Sequence, residues 1–523
     1  MWIDDLIGVI SPMAALKRKQ ARLAADILQR TYDGAKIGRR SEGWHTAGSS
    51  ANAEIYAAGP RLRDRARDLA RNNAYGNKAR RIFVDNFIGE GIKPQANTGS
   101  DALNEQIMEA WQDWVPRCNF EEDYDFYGLQ ALIVRGVFES GECFVRYRDM
   151  PFDGNTVPFQ IQVLEADYLD LTRNYEAPTP GNYIRQGIEF DKQGKRVAYW
   201  MWPQHPGENM LIMPRLQSVR IPASQILHVF EKDRPGQIRG VPFFAPVIMR
   251  MKDLDDYDDA ELLRKKIESC FAAFVIQNSG SEGPTLGNIV QTNAQGGGAG
   301  GKAPERIENF RPGMVEYLKP GEDVRFGNPN SDANYPNYAR VQLHAIAAGI
   351  GITYEQMTGD LSQVNYSSLR AGLVEFRRMI ETLRWQMFIP LLCMPVWKCF
   401  IDRAYIAGVI SKADYGVTWT PPKFEQIDPL KDAQADTLMM RNGTMTLRQA
   451  IANQGFDPDE QIEEIARTNV LLDKDGIILD SDPRYTAQNG LFQPLNPEGD
   501  LPDAPQSTQP KAKQPVTKPK PAN

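Results

Sequence analysis

The segment most suggestive of chemistry in this chain is Gly296-Gly-Gly-Ala-Gly-Gly-Lys302-Ala303. A phosphate-cradling loop needs that glycine spacing and the lysine, and also a Ser or Thr next in line to ligand magnesium. Here Ala303 follows the lysine, Pro304 interrupts the helix start, and no hydrophobic strand leads in. The same glycines fit a dinucleotide fingerprint trivially, so the segment reads as a linker. The four histidines, His45, His205, His228 and His344, have neither metal-ligand spacing nor an H-E-x-x-H pair. No G-x-S-x-G elbow offers an activated serine. One run of acids, Asp253, Asp255, Asp256, Asp258, Asp259 and Glu261, could hold a divalent cation for nucleic-acid cleavage. Its plainer reading is a solvated helix face. The chain is therefore expected to carry no catalytic residue, no metal site and no cofactor. A different chemistry stands out between Thr353 and Ser368, a stretch rich in hydroxyls and amides that reads as a flexible loop able to touch a polar partner.

The acids and the polar loop need elements to position them. From Val247 apolar residues recur at three or four: Ile248, Met251, Leu254, Tyr257, Ala260, Leu263, Ile267 and Phe271. That period predicts one long helix over 246–277 with the acids on its other face. A second helix is expected over 329–350. A third starts after the polar loop, with Leu369, Leu373, Phe376, Ile380, Leu383 and Met387 on one face. Ser367 or Ser368 is expected to cap it, and Pro390 and Pro395 to kink it. Upstream, Pro60 is expected to begin a basic helix with Arg61, Arg65, Arg67, Arg71, Lys78, Arg80 and Arg81, which stops at Gly89. This run reads as a solvated or intersubunit face. A short amphipathic helix over 102–115 carries Leu103, Ile107, Trp111 and Trp114. Residues 128–230 alternate as strands do, with Asp191–Lys195 a hairpin loop and Trp200 and Trp202 packing anchors. Met314–Leu318 is strand-like. The fold class expected is α+β and helix-rich.

Residues 1–45 form a basic arm with Lys17, Arg18, Lys19, Arg22 and Arg30. Residues 279–304 are Gly-rich, and the stretch from 476 to 523 is rich in Pro and poor in apolar residues, so it is expected to be disordered. The five cysteines are odd in number and widely spaced, which argues for reduced thiols rather than a disulfide framework. The acidic start, Met-Trp-Ile-Asp-Asp, is not that of a signal peptide, and no stretch is apolar enough for a membrane span. With 60 Lys and Arg against 67 Asp and Glu, the net charge of −7 excludes a protein that coats DNA through a basic surface.

Five segments together resemble the tailed-bacteriophage portal proteins of the lambda type: Arg65-Ala-Arg-Asp-Leu-Ala-Arg-Asn-Asn73, Gly89-Glu-Gly-Ile92, Arg234-Pro-Gly-Gln-Ile-Arg-Gly240, Leu254-Asp-Asp-Tyr-Asp-Asp-Ala-Glu-Leu262 and Thr358-Gly-Asp-Leu-Ser-Gln-Val-Asn-Tyr-Ser-Ser-Leu-Arg370. They stand in the family's order and the resemblance covers about residues 15–470. It implies a homo-oligomeric ring, usually of twelve subunits, at one capsid vertex, through which double-stranded DNA is packaged and ejected without sequence specificity. Carried onto this chain, 1–45 is the N-terminal arm, 46–245 the wing, 246–277 the first stem helix and 278–328 the clip. Residues 329–350 become the second stem helix, 351–366 the tunnel loop, 367–428 the kinked long helix and wing return, 429–475 the crown and 476–523 the tail. Gln356, Met357, Thr358, Asp360, Ser362, Gln363, Asn365 and Tyr366 would face DNA from the tunnel loop, and Tyr338, Arg340 and His344 would line the channel from the stem. The implied partners are terminase, the major capsid protein and scaffold, and a head-completion or connector protein. The implied place is the virion, after assembly in the host cytoplasm. The runner-up reading is a metal-dependent nuclease using the acidic helix.

Overall fold

The computed structural model describes residues 48–477, apart from 152–156, 176, 209–216, 270–272, 277–314, 319–334, 363, 425–428, 455 and 457, together with a few single positions outside that span. The arm 1–45, the Gly-rich stretch 279–304 and the tail 476–523 thus lie outside the described residues almost entirely.

The basic stretch forms two helices, α1 (Ala51–Asn72) and α2 (Ala74–Ile88). The first starts nine residues before the expected Pro60, because the Ser50 side chain accepts from Ala53 N and caps it; Pro60 is carried inside the helix. Asn73 makes the break, its extended backbone closing α1 while its side chain accepts from Gly76 N and opens α2. Gly89, at φ 50°, ends α2 where the sequence placed the stop. After β1 (Lys93–Ala96) comes α3 (Asp101–Trp114), whose Leu103, Ile107, Trp111 and Trp114 are all buried. Helix α4 (Phe126–Ser140) follows and ends on left-handed Gly141.

The strand region makes two sheets. β2 (Glu142–Asp149), β3 (Phe159–Leu164) and β8 (Ile226–Phe230) form an antiparallel three-stranded sheet with β2 in the middle. β4 (Tyr183–Arg185), β5 (Ile188–Phe190), β6 (Arg196–Met201) and β7 (Val219–Pro222) form an antiparallel four-stranded sheet in sequence order. The Asp191 carboxylate accepts from the backbone N–H of Gln193 and Lys195 and builds the hairpin between β5 and β6.

Helix α5 (Ile248–Ser269) is shorter than the expected 246–277. Ala273–Ile276 within that range is instead a strand, β9, paired in parallel with β10 (Val315–Leu318). The β-branched and aromatic content of Ala273-Phe-Val-Ile276 suits a pleated backbone better than a helix. Then come α6 (Tyr335–Ile350), the single-turn α7 (Tyr354–Thr358) and α8 (Tyr366–Leu383). The expected kink in the long helix takes the form of ten π-helical residues, Arg384–Cys393, that run into α9 (Met394–Ile406). Pro390 lies inside the π segment and Pro395 at the start of α9. A proline has no N–H to donate, so the wider register absorbs what a regular α-helix would lose. β11 (Val417–Thr420) pairs antiparallel with β1, and three helices close the described chain: α10 (Pro429–Arg441), α11 (Leu447–Asn453) and α12 (Pro458–Asp475).

The main core lies where α2, α3, α4, the β2 sheet and the π segment with α9 meet. Trp111, Trp114, Phe126, Phe159, Trp397 and Phe400 form one ring cluster with centroids 4.8–5.9 Å apart. Each fully buried side chain of this kind contributes about 1.5–3 kcal/mol, which fixes the long C-terminal helix against the N-terminal third. A smaller core, with Phe144, Ile188, Tyr199 and Ile221, joins the two sheets. The molecule is α+β and helix-rich.

Candidate functional site

Helices α5 and α6 run antiparallel: Arg250 donates to Gln342 Oε1 at 3.2 Å, and Tyr335 OH to Asp258 Oδ1 at 2.8 Å. Tyr257 stacks on Tyr335 and tilts against Tyr338, with centroids 5.9 and 4.9 Å away. At 1.5 Å per residue they span about 33 and 24 Å. Their buried stripe is Ile248, Met251 and Leu254 against Leu343, Ile346, Ala347 and Ile350. Beyond that buried stretch the pair leaves Met249, Leu262, Leu263, Tyr338 and Val341 exposed, alongside Asp253, Asp255, Asp256 and Asp259.

The polar loop is built tightly. Thr353 and Gln356 form a reciprocal capping box on α7, so the Gln356 side chain is already engaged by Thr353 N at 3.1 Å. Met357 is 1% exposed and belongs to the core, not to a solvent-facing surface. The Thr358 hydroxyl donates to Tyr354 O at 2.9 Å and accepts from Asp360 N at 3.1 Å. Asp360 Oδ1 accepts from the Ser362 hydroxyl at 2.6 Å and from Ser362 N at 3.0 Å, and these bonds hold its pKa below the usual aspartate value. Asn365, rather than Ser367 or Ser368, caps α8: its Oδ1 accepts from both the N–H and the hydroxyl of Ser368 at 2.8 Å. Gln363 and the Tyr366 side chain lie outside the described residues. On α6, Tyr338 is 46% exposed, while His344 stacks on the Tyr354 ring at 4.2 Å and Arg340 lies 5.4 Å from the same ring.

A second polar centre escaped sequence reading. Glu142, at the start of β2, is buried; it accepts from Arg239 through Nε and Nη2, from His228 Nε2 at 2.9 Å and from Gly240 N at 3.0 Å. Arg63 lies 3.8 Å away and also pairs with Asp167 at 3.2 Å. Burial works against the Glu142 charge, but Arg239 and His228 outweigh it and hold the carboxyl well below its ordinary pKa. Burial lowers His228 to about 4 despite Glu142, since Arg239 already neutralises that carboxylate and Arg196 faces Nδ1 at 3.4 Å. Parts of the expected solvated basic face thus turn inward. Arg67 pairs with Glu165 and Asp167, and Arg80 with Glu139. A signal was available in the spacing, because Arg63 shares a helical stripe with Ala66 and Ala70, the buried side of α1.

Among the described residues, Glu165, Asp167 and His205 form the one group that could surround a cation. It lies away from the acidic helix α5, and the Arg67 guanidinium occupies the space between its carboxylates. The nuclease reading finds no support in this geometry. No helix among the described residues is long and apolar enough to cross a membrane.

Residues 37–384 match the family described as phage portal protein, lambda family. The chain is 26% identical over 475 residues to a probable portal protein of Halomonas phage phiHAP-1, covering 87% of this chain and 88% of that one. It is 23% identical over 481 residues to portal protein B of Escherichia phage lambda, covering 82% and 86%. Among solved structures, a chain in the neck of a native GTA particle computed with C12 symmetry aligns with a TM-score of 0.41 at 15% identity, over 76% of this chain and 95% of that one. The chain belongs to the lambda family of phage portal proteins. It is a structural component of the phage particle, and its function is that of a portal in DNA packaging.

Proposed function

We propose that this portal subunit works as a ring, of twelve copies by family resemblance, with α5 and α6 as its stem and the 351–366 loop at its DNA channel. The observation that carries the reading is the α5–α6 pair. It packs one stripe inward and leaves Met249, Leu262, Leu263, Tyr338 and Val341 exposed. Large apolar side chains left exposed along a helix pair are covered by neighbours in an assembled protein. Exposed acids on the same pair repel phosphate, which suits a duplex that must slide. Ser362 and Asn365 are exposed and can touch a phosphate backbone without reading bases. Residues 46–245 serve as wing, 278–328 as clip and 429–475 as crown. The clip docks terminase during packaging and a head-completion or connector protein afterwards. The outer wing meets the major capsid protein and scaffold, and assembly takes place in the host cytoplasm.

Electron micrographs of the purified full chain test the ring: particles with a central hole wide enough for a duplex are expected, and persistent monomers would refute it. Alanine at Ser362 and Asn365 tests the channel. A drop in packaged DNA or in its retention is expected, with ring formation unchanged.

A further inference from the structure

We infer that Tyr354 is the positioning residue of the loop, clamped by Arg340 and His344, and that Arg340 anchors the loop instead of lining the channel, while His344 grips the ring and stays exposed. The inference rests on the reading that the loop tip meets DNA. Tyr354 is 9% exposed. Its ring stacks on His344 with centroids 4.2 Å apart and planes 21° from parallel, and the Arg340 guanidinium carbon lies 5.4 Å from its centroid. Both partners come from one face of α6, four residues apart, so a single helix stripe grips one aromatic ring. From that ring a path of hydrogen bonds runs to the tip. The Tyr354 hydroxyl donates to Asp360 Oδ2 at 3.4 Å, and Asp360 Oδ1 in turn fixes the hydroxyl and backbone N–H of Ser362.

Helix α8 closes the other side. A Cβ at Gly351 (φ +88°) would come within 2.7 Å of the Met379 sulfur, and one at Gly372 within 3.0 Å of Thr353 Cγ2. With Met357 in the core, residues 351–360 form a gripped knuckle, and Leu361, Ser362 and Asn365 are the exposed part. A guanidinium held against an aromatic ring is poorly placed to pair with a passing phosphate as well.

Hydrogen exchange on assembled rings of the full chain, read beside DNA retention, tests this. Tyr354→Ala should raise exchange of the 358–362 amides about tenfold, the signature of lost local stability, with rings still forming; Tyr354→Phe, which keeps the stack, should raise it far less. Unchanged exchange in Tyr354→Ala overturns the inference. Should that variant fail to assemble, Asp360→Ala carries the test one link further, and unchanged exchange at Ser362 would then overturn it. Arg340→Ala should raise the same exchange and leave the salt dependence of DNA retention as it was. A salt slope lower by about one with exchange unchanged would place Arg340 at a phosphate and refute its anchoring role. Should exchange rise in Tyr354→Ala while Ser362→Ala and Asn365→Ala leave packaging and retention intact, the anchor stands and the DNA-facing reading of the tip falls.

Discussion

Glu142, His228 and Arg239 meet at the junction of β2, β8 and the Arg234–Gly240 segment, and nothing in the sequence paired the three. In the structure, His228 Nε2 donates to Glu142, which leaves Nδ1 as the acceptor facing Arg196, with Phe144 and Phe230 packed at 4.3 and 4.4 Å. Arg63 from α1, Arg239 and Tyr199 from β6 complete its charged and titratable surroundings. A second proton on His228 would place another cation beside these arginines. The histidine ordinarily titrates near 6.5 and here near 4. The unfolded chain therefore binds that proton first, and stability present above pH 6.5 is lost as pH falls towards 4. At about 1.4 kcal/mol per tenfold change in proton affinity the loss reaches about 3 kcal/mol. Glu142, also depressed, adds a loss of the same sign below its ordinary 4.5. Denaturant unfolding of the full chain between pH 7 and 4.5 should show this decline, and His228→Phe should flatten it. The Gly240 that ends the segment has its own reason. A Cβ there would overlap the Gly141 carbonyl oxygen and sit 2.9 Å from Phe230 Cβ, since the two glycine backbones pass in contact. Gly240→Ala should cost about 1–3 kcal/mol or more, read as a lower denaturant midpoint with an unchanged slope.

Elements were legible in the sequence wherever a single period ran long enough. The apolar stripes of α3 and α8, the first part of the α5 stripe as far as Leu254, the hairpin at Asp191 and the stop at Gly89 follow from local spacing. What could not be read were choices settled by distant residues. Met357 sits in a polar string yet points into the core, because a single turn of helix must bury one side chain against α2 and α6. Asn365 takes the cap from two serines by offering one oxygen to both donors of Ser368. The π segment is the clearest case. Arg384 at its start is buried and donates to the carbonyls of Phe87 at 2.7 Å, Asn86 at 2.8 Å and Pro422 at 3.2 Å. Two of these are carbonyls of the last turn of α2, where a cation complements the helix dipole. Burial lowers the Arg384 pKa to about 10, with Glu381 opposing. Nothing near Arg384 in sequence announces a partner almost three hundred residues away. Arg384→Met should orphan these carbonyls and destabilise the chain by about 1–3 kcal/mol. Arg384→Lys should fail to restore it, since a single ammonium cannot fork between two separate segments. Hydrogen exchange at 86–92 together with the unfolding midpoint would check both.

For the whole molecule, the exposed residues carry as much information as the buried ones. Val341 is 62% exposed, Leu263 58% and Leu262 53%, all on the α5–α6 pair, while the same pair carries a line of exposed aspartates. Exposed apolar side chains among acids can be covered by a neighbour without bringing aspartates together, provided the apolar positions form the contact. Burying each such side chain contributes about 1.5–3 kcal/mol, repeated at every interface of a closed ring. Val341→Asp should therefore shift the purified protein from rings to small species in sedimentation velocity while its own core unfolds as before. The net charge of −7 per subunit sets the companion expectation. The net charge repels phosphate and Arg63, Arg67, Arg80 and Arg239 are committed to internal carboxylates, while Arg61, Arg65, Arg71, Lys78 and Arg81 stay exposed on α1 and α2. A protein that gripped phosphates would lose affinity with a slope of about −0.9 per contact against the logarithm of salt. Rings incubated with linear duplex between 50 and 200 mM salt should bind weakly and almost without slope. A slope of several units would mean a basic surface that grips DNA, and would overturn the view of this subunit as part of a conduit through which the duplex slides.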